Sequence, residues 1–345
     1  SIQAQIYRRF EVTFALSSEA TASTWVADLR HLYPFTIEIA GPGRFLGTLK
    51  GVYVSVVFPG DALSPDALGQ VALAAGSEPP AMIYADENNG RPLLKPDWSP
   101  NFLLSTDYLG RAVFYHRDWL MRAGGVGETL CRASLYDLTL RMTEICPPPL
   151  HIPRILLAYQ EEAPDSSVNE ALSASLQSAI LRRGLSGEVS PVKGHPGFYI
   201  VHARPPVKSL VSILIATHDQ PELLQKCLHS VFTQTRDSLF EVVLVDHQSQ
   251  RDETRVVISN WSNQEPHRFH CLPYTGEFNY SKINNFAAAR ARGDLLLLLN
   301  NDTEVIDPLW LSELAGAASF PTSGAVGAVL EYPGGRIQHG GIVMG

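Results

Sequence analysis

Apolar and polar positions follow two rhythms along this chain, runs of apolar residues that predict strands and stripes at i, i+3, i+4 and i+7 that predict helices. Val211-Ser212-Ile213-Leu214-Ile215 predicts a strand that ends at the turn Thr217-His218-Asp219-Gln220-Pro221. Leu223, Leu224, Cys227, Leu228, Val231 and Phe232 then recur at helical spacing. Further strands are predicted over 241–245 and 295–299, with a helix between them. The leucine run 295–299 is far short of the roughly 20 apolar residues that cross a bilayer. It suits a strand buried on both faces of a sheet. Earlier, Ala171, Leu172, Leu176, Ile180 and Leu181 form a helical stripe within Asn169 to Arg183, stopped by Gly184. Strand, helix, strand, helix, strand is the order of a doubly wound α/β sheet, whose ligand loops gather at the carboxyl ends of its strands.

The pattern occurs twice. Phe10-Glu11-Val12 recurs as Phe240-Glu241-Val242, and Gly51 to Asp61 matches Gly293 to Thr303. A repeat this long predicts duplicated domains rather than a solenoid of short units. The expected organisation is a first domain over 1–203 lacking its opening strand and helix, a linker over 204–210 marked by Pro205 and Pro206, and the front half of a second domain over 211–345.

Composition narrows the classes. Hydrophobic residues make up 45% and charged residues 18%, enough to bury full cores. A net charge of −8 with no basic block argues against a nucleic-acid partner. The four cysteines are widely spaced, without the pairing of a zinc site or a disulfide framework, and fit reduced thiols in a cytoplasmic setting. The 11 histidines show no HExxH spacing. Gly41-Pro42-Gly43-Arg44-Phe45-Leu46-Gly47 misplaces the third glycine of a dinucleotide fingerprint, which disfavours an oxidoreductase.

The candidate chemistry lies at the strand ends. Asp219 follows the first strand, Asp246 ends the second, and Asn300 and Asp302 end the third. Their hard oxygens suit Mg²⁺ or Mn²⁺ bridging the phosphates of a nucleotide. Two bland readings stand beside this one: Asp219 caps the helix that starts near Pro221, and Asp246 makes an Asx turn with Gln248 and Ser249.

Ile213 to Asp219, Val245 to Ser249, Phe278 to Asn285, Leu299 to Val305 and Ile337 to Gly341 together resemble the nucleotide-binding half of family 2 of the nucleotide-sugar glycosyltransferases, in the branch that builds bacterial surface polysaccharides such as O-antigen and rhamnan. The resemblance implies two GT-A-like domains in tandem, Rossmann-like and doubly wound with mixed sheets, each incomplete. It implies that Thr217, His218, Asp219, Asp246, Lys282, Asn285 and Asn301 bind the nucleotide sugar, with Asn284 orienting their loop, and that Asn300 and Asp302 hold Mg²⁺ or Mn²⁺ where the family has D-x-D. Asn300 departs from that pattern, since an amide oxygen brings no charge. Transfer to a glycan or lipid-linked acceptor is implied to be inverting, and the protein to be cytoplasmic or peripheral on the inner membrane face. The family's base follows well after the metal motif, so it is expected beyond Gly345, and residues 1–345 are expected to bind donor but transfer poorly.

Ile83 to Asn88, Lys95 to Pro100, Asp107 to Gly110 and Tyr136 to Arg141 resemble the acceptor half of the same family. The duplication places Leu16 opposite Asp246 and Phe58, Pro59 and Gly60 opposite Asn300, Asn301 and Asp302, so the first copy reads as degenerate. Leu135 stands where the family has an acid; Asp137 is a candidate base or a capping carboxylate, and Trp98 and Tyr108 are candidate platforms for an acceptor sugar or parts of the core. The alternative to an enzyme is a non-catalytic carbohydrate-binding or scaffold protein on the same fold.

Overall fold

The computed structural model describes residues 1–15, 36–40, 47, 49–127, 130–160, 166–204, 209–321 and 323–341. Leu16, the glycine-containing run 41–46 and the paired prolines at 205–206 lie outside the described residues. The chain divides into two compact units, Ser1–Gly184 with Glu188–Val201, and Leu185–Gly187 with His202–Gly345.

In the first unit β1 (Glu11–Ala15) pairs in parallel with β2 (Thr36–Ala40). A separate mixed sheet contains β3 (Tyr53–Val54), β4 (Ala62–Leu63), β5 (Met82–Asn88), β6 (Pro92–Leu93), β7 (Val113–His116) and β8 (Leu150–Ala158), in the order β3-β7-β5-β8-β4 with β6 on β5. The accompanying helices are α1 (Ala67–Ala75), α2 (Pro100–Leu103), α3 (Arg117–Arg122), α4 (Arg132–Ile145) and α5 (Ser166–Arg182). The paired strands β9 (Ser186–Pro191) and β10 (Tyr199–Arg204) follow. Central β5 is buried on both faces, which is why it shows no alternation. Ile83 and Ala85 pack among Val71, Phe114, Ile152 and Leu157, while Tyr84 stacks on His151 with ring centroids 4.6 Å apart.

Asp107, before β7, carries a testable charge. Burial pushes its carboxyl up to about 6, although Arg132 lies 3.9 Å away and Gly110 N–H donates to it at 3.3 Å. A folded-state value above the unfolded one means that the native state binds the extra proton, so stability falls as pH rises from about 4 to about 6 and stays lower above that. Asp107→Asn is therefore expected to be more stable than wild type by roughly 2–3 kcal/mol at pH 7. The gap should close as pH falls to about 4. Calorimetric melts of both proteins across that range check it, and a gap that does not change with pH rejects it.

The second unit consists of β11 (Leu210–Thr217), α6 (Pro221–Gln234), β12 (Leu239–Asp246), α7 (Asp252–Gln264), β13 (Phe269–Pro273), α8 (Tyr280–Ala288), β14 (Leu295–Asn300), α9 (Trp310–Ala318) and an antiparallel hairpin of β15 (Leu330–Tyr332) and β16 (Arg336–His339). Its main sheet has the order β13-β12-β11-β14 and is parallel throughout. Successive side chains point to opposite faces. Ile213, Ile215, Val242 and Leu244 therefore meet Leu224, Val231, Trp261 and Leu311 from α6, α7 and α9. Leu214, Val243 and Val245 meet Ile283 and Ala287 of α8 on the other face. The doubly wound arrangement is thus present in this unit.

The expectation that the leucine strand is buried on both faces is corrected. Leu295, Leu297 and Leu299 pack on the α6 side, but Leu296 and Leu298 are 49% and 52% exposed. The reason is position: β14 is the sheet's edge strand, and α8 packs over β11 and β12. The segment matched to it, Gly51 to Asp61, differs again, since only Tyr53–Val54 is a strand and it pairs antiparallel with β7. In the first unit the apolar strand that runs into acidic residues is β5, ending in Asp86, Glu87 and Asn88.

At the opposite sheet edge, buried Glu241 accepts hydrogen bonds from Ser212 Oγ (2.7 Å), Arg292 N (2.7 Å) and Arg292 Nε (2.6 Å). Ser212 Oγ also receives Gly293 N–H at 2.8 Å. This network seats the start of β14 beside β11 and so sets where the strand's far tip lies. Among the described residues no helix is long and apolar enough to cross a membrane.

Candidate functional site

Parallel register brings the predicted residues to one edge. Thr217 pairs with Asp246 across β11 and β12, and Ala216 pairs with Asn300 across β11 and β14. Asn301 Nδ2 donates to Thr217 Oγ1 at 3.0 Å, and Thr217 Oγ1 donates to the Asp219 carbonyl at 3.3 Å. These bonds tie the third strand tip to the first. The turn after β14 closes through the backbone, with Asn300 O accepting Thr303 Oγ1–H at 2.7 Å and Cys227 Sγ–H at 3.6 Å. Asn301 is half-buried, while Asn300 and Asp302 on either side of it are exposed.

Asp219 does not cap the helix that begins at Pro221, whose N-cap is Gln220 without a side-chain bond. Its Oδ1 instead accepts the amide N–H groups of Gln250 and Arg251, both at 2.9 Å. Those bonds, Arg251's first, hold the Asp219 carboxyl below the usual carboxylate range. Asp246 does form the Asx turn, its Oδ1 accepting from Ser249 N at 3.2 Å and Ser249 Oγ at 2.5 Å. Ser249 Oγ in turn accepts the Asp219 N–H at 2.8 Å. Buried Ser249 therefore couples the two acids. It was legible only as a turn partner, because its bond to Asp219 spans separate loops.

Backbone conformation marks the same loops. Asp219, Gln220 and Gln248 have φ of 54°, 57° and 57°. Left-handed backbone away from glycine costs about 1 kcal/mol or more and tends to cluster where a loop is shaped for a ligand.

Lys282 and Asn285 lie on α8, which starts at this edge because β13 runs parallel to its neighbours; both are exposed. Asn279 caps the helix, accepting Lys282 N–H at 2.9 Å. Asn284 is buried, and its amide donates to Tyr280 O at 2.9 Å within the helix. His218 Nδ1 donates to the His247 carbonyl at 2.6 Å.

Of the residues singled out in the first unit, Asp137 is engaged in pairing and Tyr108 in packing. Asp137 lies 2.8 Å from Arg141 Nε and 3.5 Å from Arg182, as a half-exposed ion pair on α4. Tyr108 Oη accepts Ser99 N–H at 2.9 Å, and its ring stacks with Phe102 at 5.0 Å. Trp98 is half-buried.

As a metal site the strand tip provides one carboxylate, Asp302, and one amide oxygen, Asn300. Among the described residues no group of three or more His, Cys, Asp or Glu is placed to hold an ion. That donor set fits a hard divalent cation whose remaining positions go to phosphate oxygens and water.

Residues 212–339 match the Glycosyl transferase family 2 profile. The chain is 37% identical over 314 residues to the O-antigen biosynthesis protein RfbC of Myxococcus xanthus, covering 86% of this chain and 24% of that protein. It is 32% identical over 319 residues to an uncharacterised Sinorhizobium fredii protein, covering 86% and 34%. The chain thus spans about a quarter to a third of these relatives' lengths. Among solved structures, Staphylococcus aureus TarS 1-349 in complex with UDP-GlcNAc shows partial likeness, with a TM-score of 0.43 and 11% identity over 53% of this chain and 60% of that one. The mannosyltransferase PcManGT from Pyrobaculum calidifontis, in complex with GDP-Man and Mn2+, gives 0.33 and 20% over 45% of each chain. The match to glycosyl transferase family 2 thus falls on residues 212–339, the part of the chain where the three strand tips converge.

Proposed function

We propose that the chain is part of a glycosyltransferase that moves a sugar from a nucleoside diphosphate onto a glycan or lipid-linked acceptor during cell-surface polysaccharide synthesis. The observation that carries this reading is the convergence of Thr217, Asp246 and the Asn300-Asn301-Asp302 turn at adjacent parallel strand tips, inside the family match. The name of the Myxococcus relative supports the polysaccharide setting. Both units are read as GT-A-like folds, the first degenerate, and a lipid-linked acceptor would bring the protein to the inner membrane face.

In this reading Thr217 and Asp246 take the nucleoside, with Asp219 and Ser249 holding their loops in register. Lys282, in the first turn of α8, faces the diphosphate together with the positive end of that helix. Asn300 and Asp302 hold Mg²⁺ or Mn²⁺, which when bound offsets the charge gathering on the departing diphosphate. Inversion requires a carboxylate to accept the acceptor's proton as the hydroxyl attacks opposite the leaving group. Asp137 is already tied to Arg141 and Arg182 and is not assigned that role.

A second reading, a carbohydrate-binding scaffold, is favoured by the single carboxylate at the strand tip. Thermal shift separates the two. UDP, GDP or dTDP with MnCl₂ is expected to stabilise the second unit, by about 2.7 kcal/mol at roughly 100 times Kd. Stabilisation by oligosaccharides, with none by any nucleotide, would replace the enzyme by the scaffold.

A further inference from the structure

We propose that Cys227 and Ser230 of α6 are positioning residues that grip the two ends of the turn after β14, and that this grip sets the turn's affinity for a divalent cation. The inference rests on the metal reading of Asn300 and Asp302 given above and adds to it the residues on which that site depends.

The two side chains stand one helical turn apart and therefore on one face of α6, where the residues are 0% and 3% exposed. Cys227 Sγ–H donates at 3.6 Å to the carbonyl of Asn300, the last residue of β14. Ser230 Oγ accepts the Val305 N–H at 3.0 Å, at the far end of the turn. Ser230 is itself held, since its hydroxyl donates to the Cys227 carbonyl at 2.9 Å. The bond to Val305 also answers a local need. Val305 packs against the apolar core of this unit, and a backbone N–H drawn away from water must find an acceptor.

Between the two grips the turn keeps little freedom. Thr303 Oγ1 and the Thr303 N–H both donate to the Asn300 carbonyl, at 2.7 and 3.4 Å, and Asn301 Nδ2 donates to Thr217 Oγ1 at 3.0 Å. Asn300 and Asp302 remain exposed. Affinity at an oxygen-donor site follows the charge of the ligands and the rigidity of the site. With one carboxylate the charge is small, so rigidity has the larger share. A turn already held at both ends gives up little freedom when an ion arrives.

The helix continues along the same segment beyond the turn, which supplies a control. Thr235 Oγ1 accepts Trp310 Nε1–H at 3.0 Å, and the Arg236 N–H donates to the Pro308 carbonyl at 2.9 Å. Loosening this part of the seam unsettles the packing of α6 without touching the strand tip.

Calorimetric titration of the full chain with MnCl₂, in the presence of UDP and separately of GDP, tests the assignment in wild type, Ser230→Ala, Cys227→Ala and Thr235→Val, with a thermal melt of each protein. Ser230→Ala and Cys227→Ala are each expected to weaken Mn²⁺ by about tenfold or more, as loss of a supporting partner behind a metal ligand does. Thr235→Val is expected to keep the wild-type Mn²⁺ affinity even where its melting temperature falls. Should Ser230→Ala fail to fold because the Val305 N–H is left unpaired, Cys227→Ala decides alone, since the Asn300 carbonyl keeps its bonds from Thr303. A folded variant with unchanged Mn²⁺ affinity overturns the assignment for its residue and leaves the metal reading standing. An equal loss in Thr235→Val overturns it for both residues, because the effect is then one of packing. A wild-type protein whose nucleotide binding ignores Mn²⁺ overturns the metal reading and the assignment with it.

Discussion

Lys95→Met is expected to destabilise the first unit by about 3–5 kcal/mol, the usual cost of removing one partner from a buried ion pair. Lys95 Nζ lies 2.8 Å from Glu87 Oε1, and the two side chains are only 5% and 2% exposed. Nζ also donates to the Leu109 carbonyl at 2.5 Å. Glu87 Oε1 further accepts Arg111 N–H at 2.6 Å and Ala112 N–H at 2.5 Å, so the carboxylate anchors the turn that leads into β7. Gly110 in that turn has a φ of +64°, and a Cβ there would run into the Glu87 carboxylate. Without the ammonium, an ionised carboxylate would remain in a dry interior with two amides to satisfy it. The double variant Lys95→Met, Glu87→Gln should recover part of the loss, because a neutral amide costs far less to bury than a charge. Denaturant unfolding of the 345-residue chain measures both. A single-variant loss under about 1 kcal/mol, the size of a surface pair, would show that the pair is hydrated in solution.

The largest functional effect is expected at the tip of β14. Asp302→Ala should remove Mn²⁺-dependent nucleotide binding, leaving an affinity that no longer responds to the metal. Asp302 is the one charged donor of the pair, and ligand charge strongly tunes the affinity of oxygen-donor sites. Asn300→Asp makes the opposite prediction, a tightening of Mn²⁺ by about tenfold, as a second carboxylate joins the shell. Both side chains are exposed, so neither change disturbs the core. Calorimetry with MnCl₂ and UDP or GDP reads both variants. Unchanged metal dependence in Asp302→Ala would remove the ion from this turn, and an Asn300→Asp protein no tighter than wild type would remove Asn300 from its coordination.

Much of the second unit was legible in its residues. The spacing of Leu224, Cys227, Leu228 and Val231 predicted α6, and each of these residues is buried on one side of it. The strands expected over 211–216, 241–245 and 295–299 are present with boundaries extended by a residue or two. Asp246 and Ser249 make the turn expected of an aspartate at that spacing. β13 escaped notice because Phe269–Pro273 is short, its middle only half-buried, and its apolar pattern mixed with His270 and Cys271.

Local pattern determined where strands and helices form and that polar oxygens follow the leucine run, because backbone period and side-chain burial are properties of neighbours in sequence. Three matters were decided only by the tertiary structure. The order β13-β12-β11-β14 put the leucine strand at an edge, baring Leu296 and Leu298, which no run of five leucines could announce. Ser249 became the bridge between Asp219 and Asp246 through a contact across separate loops. Cys227 and Ser230 reached the two ends of the turn after β14 because α6 lies along that segment. Each depends on which segments lie side by side, and that is settled by burial and hydrogen bonding between residues far apart in the chain.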